Sequence, residues 1–244
     1  VWKFWQEDIS SKQVLEHPSI LCWSAKWLGY KRTFFEWAYP YSLAGAEEKM
    51  LAALLPLLNE ADVVVGHNLK KFDTPRIRGR CLVYGLPIPS PYAEVDTLVI
   101  ARQKLGFSGN SLAYLAEVLG CTPKGTHKKF PGFELWTQCL LDNKAAWREM
   151  KKYNLQDIQT TEEIYMLIRP YAGTHPNWGV YSDAGYPECP KCGGRVKKDG
   201  FYKTSTGKYQ QYQCTVEGCG AWAWTLPNLL NKSKRKVLLK NVVS

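Results

Sequence analysis

The stretch "VVVGHNLKKFDTPRI", Val63–Ile77, decides the fold. Three consecutive valines read as a short buried strand, because β-branched residues suit a pleated, packed surface. The strand ends in Gly-His-Asn, and an acid, Asp73, follows beside a phenylalanine. Charged residues are almost never placed in a core without a partner. Asp73 therefore raises the question of what it binds. Pro75 stands where a first helical turn tolerates proline, so a helix is expected over about Thr74–Tyr84.

Working outward, "SILCWSAKWL" (Ser19–Leu28) reads as a buried strand and "RTFFEWAY" (Arg32–Tyr39) as its hairpin partner. "GAEEKMLAALLPLLNEA" (Gly45–Ala61) has apolar residues at helical spacing and acids in its first turn. "EVDTLVIARQKL" reads as a strand or a strand-to-helix step, and "NSLAYLAEVLG" as a helix. A long helix is expected from Asn143 to Arg169, stopped by Pro170. Strands alternating with helices predict an α/β layer fold.

On the long helix, Tyr153 and Asp157 are four residues apart and so share a face. A lone aspartate on a helix is most often solvated. Here it joins Asp73, an acid from another element. Two-metal phosphodiester cleavage needs carboxylates from separate elements to hold two divalent cations about 3.5–4 Å apart. A nearby phenol can orient the attacking water.

These residues carry a resemblance. "GHNLKKFDTP" resembles the second motif of the DnaQ-like DEDD 3′–5′ exonucleases, an Asn-x-x-x-x-Asp arrangement. "YNLQD" resembles their third motif in its tyrosine form, Tyr-x-x-x-Asp; the histidine form would need His where this chain has Lys152. "DTLVIARQKLGFSGNSLAYLAEVLG" and "HKKFPGFELWTQCL" are similar to the intervening region of phage and prophage members. The resemblance spans Val1 to Arg169 and implies a ribonuclease H-like mixed sheet flanked by helices. It implies that Asp73 and Asp157 bind Mg²⁺ or Mn²⁺, that Tyr153 positions the hydrolytic water, and that Asn68 lies near the substrate. The family's first motif, Asp-x-Glu, occurs nowhere in the sequence. The chain opens without methionine, on aromatics like those that follow that motif. The expectation is a strand upstream carrying two further acids; a lineage that has lost them is the other reading.

Neighbouring polar residues have two readings each. His67 is a candidate substrate contact, or else places the turn after the strand; Lys70 and Lys71 flank the site and are candidate contacts to a nucleic-acid backbone, or else solvated. His127, Lys128 and Lys129 are candidate phosphate contacts, or a solvated basic loop. Asp96 reads as a structural hydrogen-bonding residue or an indirect metal contact. Trp136 and Trp147 read as core.

After Pro170 the composition changes. Residues 171–188 are rich in Gly, Pro and small polar residues and read as a linker. Then come Cys189 and Cys192, and after twenty-one intervening residues Cys214 and Cys219. Two close pairs joined by a hairpin's length of chain suit a tetrahedral zinc site. With all four positions filled by protein, such a zinc is structural. Two disulfides are the competing reading, which a cytosolic setting disfavours. From Tyr181 onward there are eleven Lys/Arg against four Asp/Glu, interleaved with aromatics. That mixture suits phosphate contact and base stacking, though some of the aromatics are expected in the module's small core. The module also resembles zinc ribbons of transposase-associated proteins.

The formal charge of +10 over 244 residues points to a polyanionic partner. No apolar run reaches the about eighteen residues of a membrane span, and there is no signal-peptide pattern, so a cytoplasmic setting is expected, bacterial or in a phage-infected host. The predicted layout is a DnaQ-like domain over 1–170, a linker over 171–188, and a zinc ribbon with basic tail over 189–244. The predicted function is a metal-dependent 3′–5′ exonuclease acting on DNA rather than RNA, the ribbon assisting binding. The alternative is a catalytically inactive nucleic-acid-binding protein with a nuclease fold.

Overall fold

The structure, a computed structural model, describes residues 18–239. The aromatic stretch "VWKFWQEDI" falls outside them. The chain divides into two compact units, one running through Asp96 and including Leu112–Glu162, the other holding Thr97–Ser111 and everything from Glu163 onward.

In the first unit, β1 (Cys22–Lys26) and β2 (Thr33–Trp37) pair antiparallel, with Cys22 opposite Trp37 and Lys26 opposite Thr33. Helix α1 (Ala46–Glu60) buries Met50, Leu51, Leu54, Leu55 and Leu58 along one stripe. β3 (Val63–Gly66) leads through a π-helical turn, Leu69–Asp73, into α2 (Thr74–Val83). β4 (Ala93–Asp96) then pairs parallel with β3. Parallel pairing requires a long crossover, which the turn and α2 supply. Among the described residues the strands of this unit form these two separate pairs, one antiparallel and one parallel.

The chain continues through α3 (Thr97–Lys104) of the second unit, then α4 (Leu112–Val118), α5 (Glu134–Leu140) and α6 (Lys144–Ile168). α6 stops just before Pro170, as the sequence predicts. α5 has no counterpart in the sequence reading. Trp147 is buried among Phe130, Leu135, Cys139 and Met150. Its ring meets Trp37 and Tyr39 edge-on, centroids 6.0 and 5.6 Å apart. Trp136 is only partly buried.

One polar clamp lies among these apolar layers. The carboxylate of Glu47, on α1, accepts from Arg80 Nε at 2.9 Å and Nη2 at 2.6 Å, from the Tyr84 hydroxyl at 2.9 Å, and from Ile20 N at 2.7 Å. Three chain segments thus converge on one buried acid.

In the second unit, His175 Nε2 meets the buried Tyr165 hydroxyl at 2.7 Å, and Trp178 N donates to Pro190 O. The sequence from 171 to 188 thus bonds to the residues on either side of it and carries one short 3₁₀ turn, Trp178–Val180. β5 (Val196–Lys203), β6 (Lys208–Cys214) and β7 (Trp222–Trp224) form an antiparallel three-stranded sheet in that order. A short helix, α7 (Lys232–Lys236), follows.

Breaking the Glu47 clamp should be costly, because the partly buried Arg80 guanidinium is left without its counter-charge. Glu47→Leu is expected to destabilise the protein by about 3 kcal/mol or more, while Glu47→Leu combined with Arg80→Leu costs less than the single change. Urea unfolding of the two variants checks this; a double variant no better than the single would show that the pair is not coupled.

Candidate active site

β3 and β4 end side by side, with Gly66 in register with Asp96. The site begins at those carboxyl ends. Asp96 is almost fully buried, and its two oxygens accept from the backbone N–H of Asn68 at 3.0 Å and Lys70 at 3.1 Å. Asn68 itself lies in the left-handed region, φ 67°, which asparagine tolerates better than most residues. Gly66 permits the tight return: a Cβ there would lie 2.9 Å from Leu69 Cβ. The π-helical turn so anchored ends on Asp73. Asp96 thus does the hydrogen bonding that the sequence allowed for it, and what it holds is the segment bearing the candidate ligand.

Burial raises the pKa of Asp73 to about 6; its own backbone and nearby Arg76 pull it down, and the like charge of Asp96 pushes it up. A carboxylate held partly away from water beside a second carboxylate suits a divalent cation, which would offset both effects.

The second grouping is built on α6. Tyr153 and Asp157 occupy one face, as their spacing predicts. The loop before α5 lies along this face. Gln156 Nε2 donates to Pro123 O at 2.8 Å, and the buried Thr160 hydroxyl donates to Thr122 O at 3.0 Å. Close approach requires a glycine: a Cβ on Gly125 would stand 2.9 Å from Tyr153 O and 3.1 Å from its ring. Lys124 Nζ donates to the Tyr153 hydroxyl at 2.7 Å and lies 3.3 Å from Asp157 Oδ2. Gly125 N donates to Asp157 Oδ1 at 3.3 Å.

Burial raises the pKa of Asp157, against the lowering pull of Lys124 and the hydrogen bonds of Gly125 and Tyr153. It also raises that of Tyr153, again opposed by Lys124. Burial disfavours the charge of Lys124, but Tyr153 and Asp157 more than compensate, so its ammonium is held more firmly than usual.

Of the other candidates, His127 joins this grouping. Its ring packs edge-on against Tyr153 and Trp136, each at 5.3 Å, and its Nδ1 donates to Phe130 O at 2.7 Å. Lys128 and Lys129 are exposed, as are Lys70 and Lys71, while His67 and Asn68 are half-buried. Lys124 and Gly125 are not marked by the sequence. The only signal for them is a Pro-Lys-Gly loop, and nothing in that tripeptide distinguishes Lys124 from the chain's other lysines.

The four cysteines form a separate centre. Their sulfurs all lie within 4.8 Å of one another, with Cys189–Cys219 at 3.8 Å and Cys192–Cys214 at 3.6 Å. Four sulfurs around a tetrahedral ion with ~2.3 Å bonds would stand ~3.8 Å apart. Backbone N–H groups of Lys191, Gly194 and Val216 point at three of them, at 3.4–3.5 Å, a pattern that favours thiolates. The set fits a structural metal ion.

Asp73 has a measurable signature. Its folded pKa lies above the ordinary carboxylate value, so the folded protein holds the proton more tightly than the unfolded chain does. Stability from this group is therefore present at low pH and lost as pH rises from about 4 through about 6. Without added divalent cation, Asp73→Asn should be about 1–2 kcal/mol more stable than the parent at pH 7, allowing for solvent screening. The difference should vanish near pH 4. Urea midpoints across this range test it; a constant difference would place the origin elsewhere.

Residues 25–169 match the family RNase_H_2, of the RNase H superfamily. No characterised protein sequence matches the chain. The matched span contains both carboxylate groupings and the α/β architecture around them, and it covers more than half of the 244 residues. The chain belongs to the RNase H superfamily, whose fold implies nucleic-acid substrates, hydrolysis and divalent metal.

Proposed function

We propose that the protein is a 3′–5′ exonuclease of the DnaQ-like, DEDDy type, acting on DNA, with its cysteine module a zinc ribbon that helps hold the strand. The observation that carries this reading is the cluster on α6, where a phenol, a carboxylate and an ammonium converge within hydrogen-bond reach. Asp73 and Asp157 are the residues to hold the divalent cations, which supply charge neutralisation at the phosphate and an activated water.

The chain's own groups have distinct parts. Tyr153 orients the attacking water through its hydroxyl. Lys124 fixes that hydroxyl and adds positive charge where negative charge develops on phosphate oxygens. His127 packs against the Tyr153 ring and limits its motion. Asn68, His67, Lys70 and Lys71 lie on or beside the turn that ends at Asp73 and face the substrate strand in this reading. Lys128 and Lys129 contribute phosphate contacts. Water adds to the phosphorus, the bond to the 3′ oxygen breaks, that oxygen takes up a proton, and a nucleoside 5′-monophosphate leaves.

A second reading has its own support. The Lys124 ammonium already balances Asp157, so this grouping is electrostatically complete without a metal ion. A nucleic-acid-binding protein with an inactive nuclease fold would show that arrangement.

Shortening of a 5′-labelled single strand with Mn²⁺ or Mg²⁺ separates the two. On the exonuclease reading, a ladder shrinks from the 3′ end, slowly for a site with two acidic ligands. Asp157→Asn reduces the rate at least ~100-fold, the upper range for even an indirect metal contact. Tyr153→Phe reduces it by about 10-fold, since only a hydroxyl is lost. Binding without shortening, or full activity in Asp157→Asn, overturns the assignment.

The zinc assignment has an independent check. Metal analysis of the purified protein should find one zinc per chain, and Cys192→Ser should release it and unfold β5–β7. Disulfides by mass spectrometry in place of zinc would refute the site.

A further inference from the structure

The sheet β5–β6–β7 presents two different faces, and strand register assigns every side chain to one of them. Tyr202 stands opposite Tyr209, Gln211 opposite Trp224, and Gln213 opposite both Trp222 and Lys197. Residues directly paired across a ladder lie on the same side of the sheet, and alternate residues along a strand share that side. One face therefore carries Tyr202, Tyr209, Trp222 and Trp224, with two glutamines and Lys197 between and beside them. Phe201, Lys203, Lys208 and Tyr212 belong to the other.

The rings on the first face are organised yet open to solvent. Tyr202 stacks on Trp224 with centroids 4.4 Å apart and planes 25° from parallel, and Tyr209 lies 6.4 Å from Tyr202. Even so, Trp222 and Trp224 remain 50% and 51% exposed, and Tyr202 38%. Large aromatics left half in water on a sheet are costly unless a partner covers them. Tyr202 braces Trp224, so little ordering entropy remains to be lost on binding.

The surroundings identify the partner. The face includes no Leu, Ile, Val or Met, the aliphatic residues expected at an apolar protein interface. Its polar members are carboxamides, which donate and accept hydrogen bonds at once. The sequence from Tyr181 onward has eleven basic residues against four acidic ones. Flat rings, carboxamides and excess positive charge match unpaired bases on a phosphate backbone.

We infer that this face is a stacking platform for single-stranded nucleic acid, with bases laid on Trp222 and Trp224 and phosphates beside Lys197. Tyr202 is a positioning residue that holds Trp224. The platform is separate from the carboxylate groupings and does not depend on the nuclease reading.

The test uses the full chain carrying Asp157→Asn, so that cleavage cannot intrude. Fluorescence anisotropy compares a labelled oligothymidylate with an abasic strand of equal length and charge. The thymidylate should bind about 10-fold or more tighter, because stacking is lost without bases. Trp222→Leu and Trp224→Leu should each weaken thymidylate binding about 10-fold and leave abasic binding unchanged, while Trp224→Phe retains most affinity. Lys197→Gln should weaken both strands alike and reduce the salt dependence. Zinc content and circular dichroism establish that each variant is folded. Equal affinity for both strands overturns the platform, as does unaltered binding by the folded leucine variants. So does a self-association, seen by sedimentation, that these variants abolish. Loss of nuclease activity elsewhere in the chain leaves each of these outcomes legible.

Discussion

A single buried carboxylate at the end of β4 governs the geometry of the proposed catalytic turn. Asp96 is shielded from water, and its charge is made tolerable by the N–H groups of Asn68 and Lys70. Those two donors belong to a segment that has left β3 and not yet entered α2, so they lack strand partners. Both sides of the bargain are satisfied at once: the acid gains donors, and the turn gains acceptors. The parallel register makes this possible, because it sets Asp96 beside Gly66 where the turn begins. Asp73 inherits its place from that anchoring.

The second grouping is assembled by a different device. α6 supplies a rigid row, and the loop through Lys124 is laid against it by Gln156, Thr160 and the close approach at Gly125. Burial would by itself favour neutral Asp157, and Lys124 opposes that preference. On the exonuclease reading, a carboxylate already paired with an ammonium would exchange that partner for a divalent cation. The same pairing supports the inactive alternative, which is why activity and binding must be measured apart.

The cysteine module solves a problem of size. A short three-stranded sheet with few buried side chains offsets little of its own ordering entropy, and a metal ion held by the four cysteines would supply the missing free energy. With the fold secured from one end, the sheet is free to expose aromatic rings that a self-sufficient core would have taken inward.

The sequence by itself determined whatever depends on local spacing. The valines, the apolar stripe of α1 and the stop at Pro170 marked the elements to within a few residues, and the alternation of strand and helix marked the α/β class. Tyr153 and Asp157 share a face because 3.6 residues make a turn, and the paired cysteines announce a metal-sized cluster. Tertiary structure alone decided what depends on segments distant in the chain. Lys124 reaches Tyr153 across 29 positions, and Asp96 reaches Asn68 across 28. No spacing rule joins such pairs, since loop packing sets them. The extra residue between Lys198 and Phe201 is the sharpest case: it shifts the register of β5 and so puts Tyr202, rather than Phe201, on the tryptophan face. A slip of one residue exchanges the two faces of a strand, and only the ladder of hydrogen bonds records it.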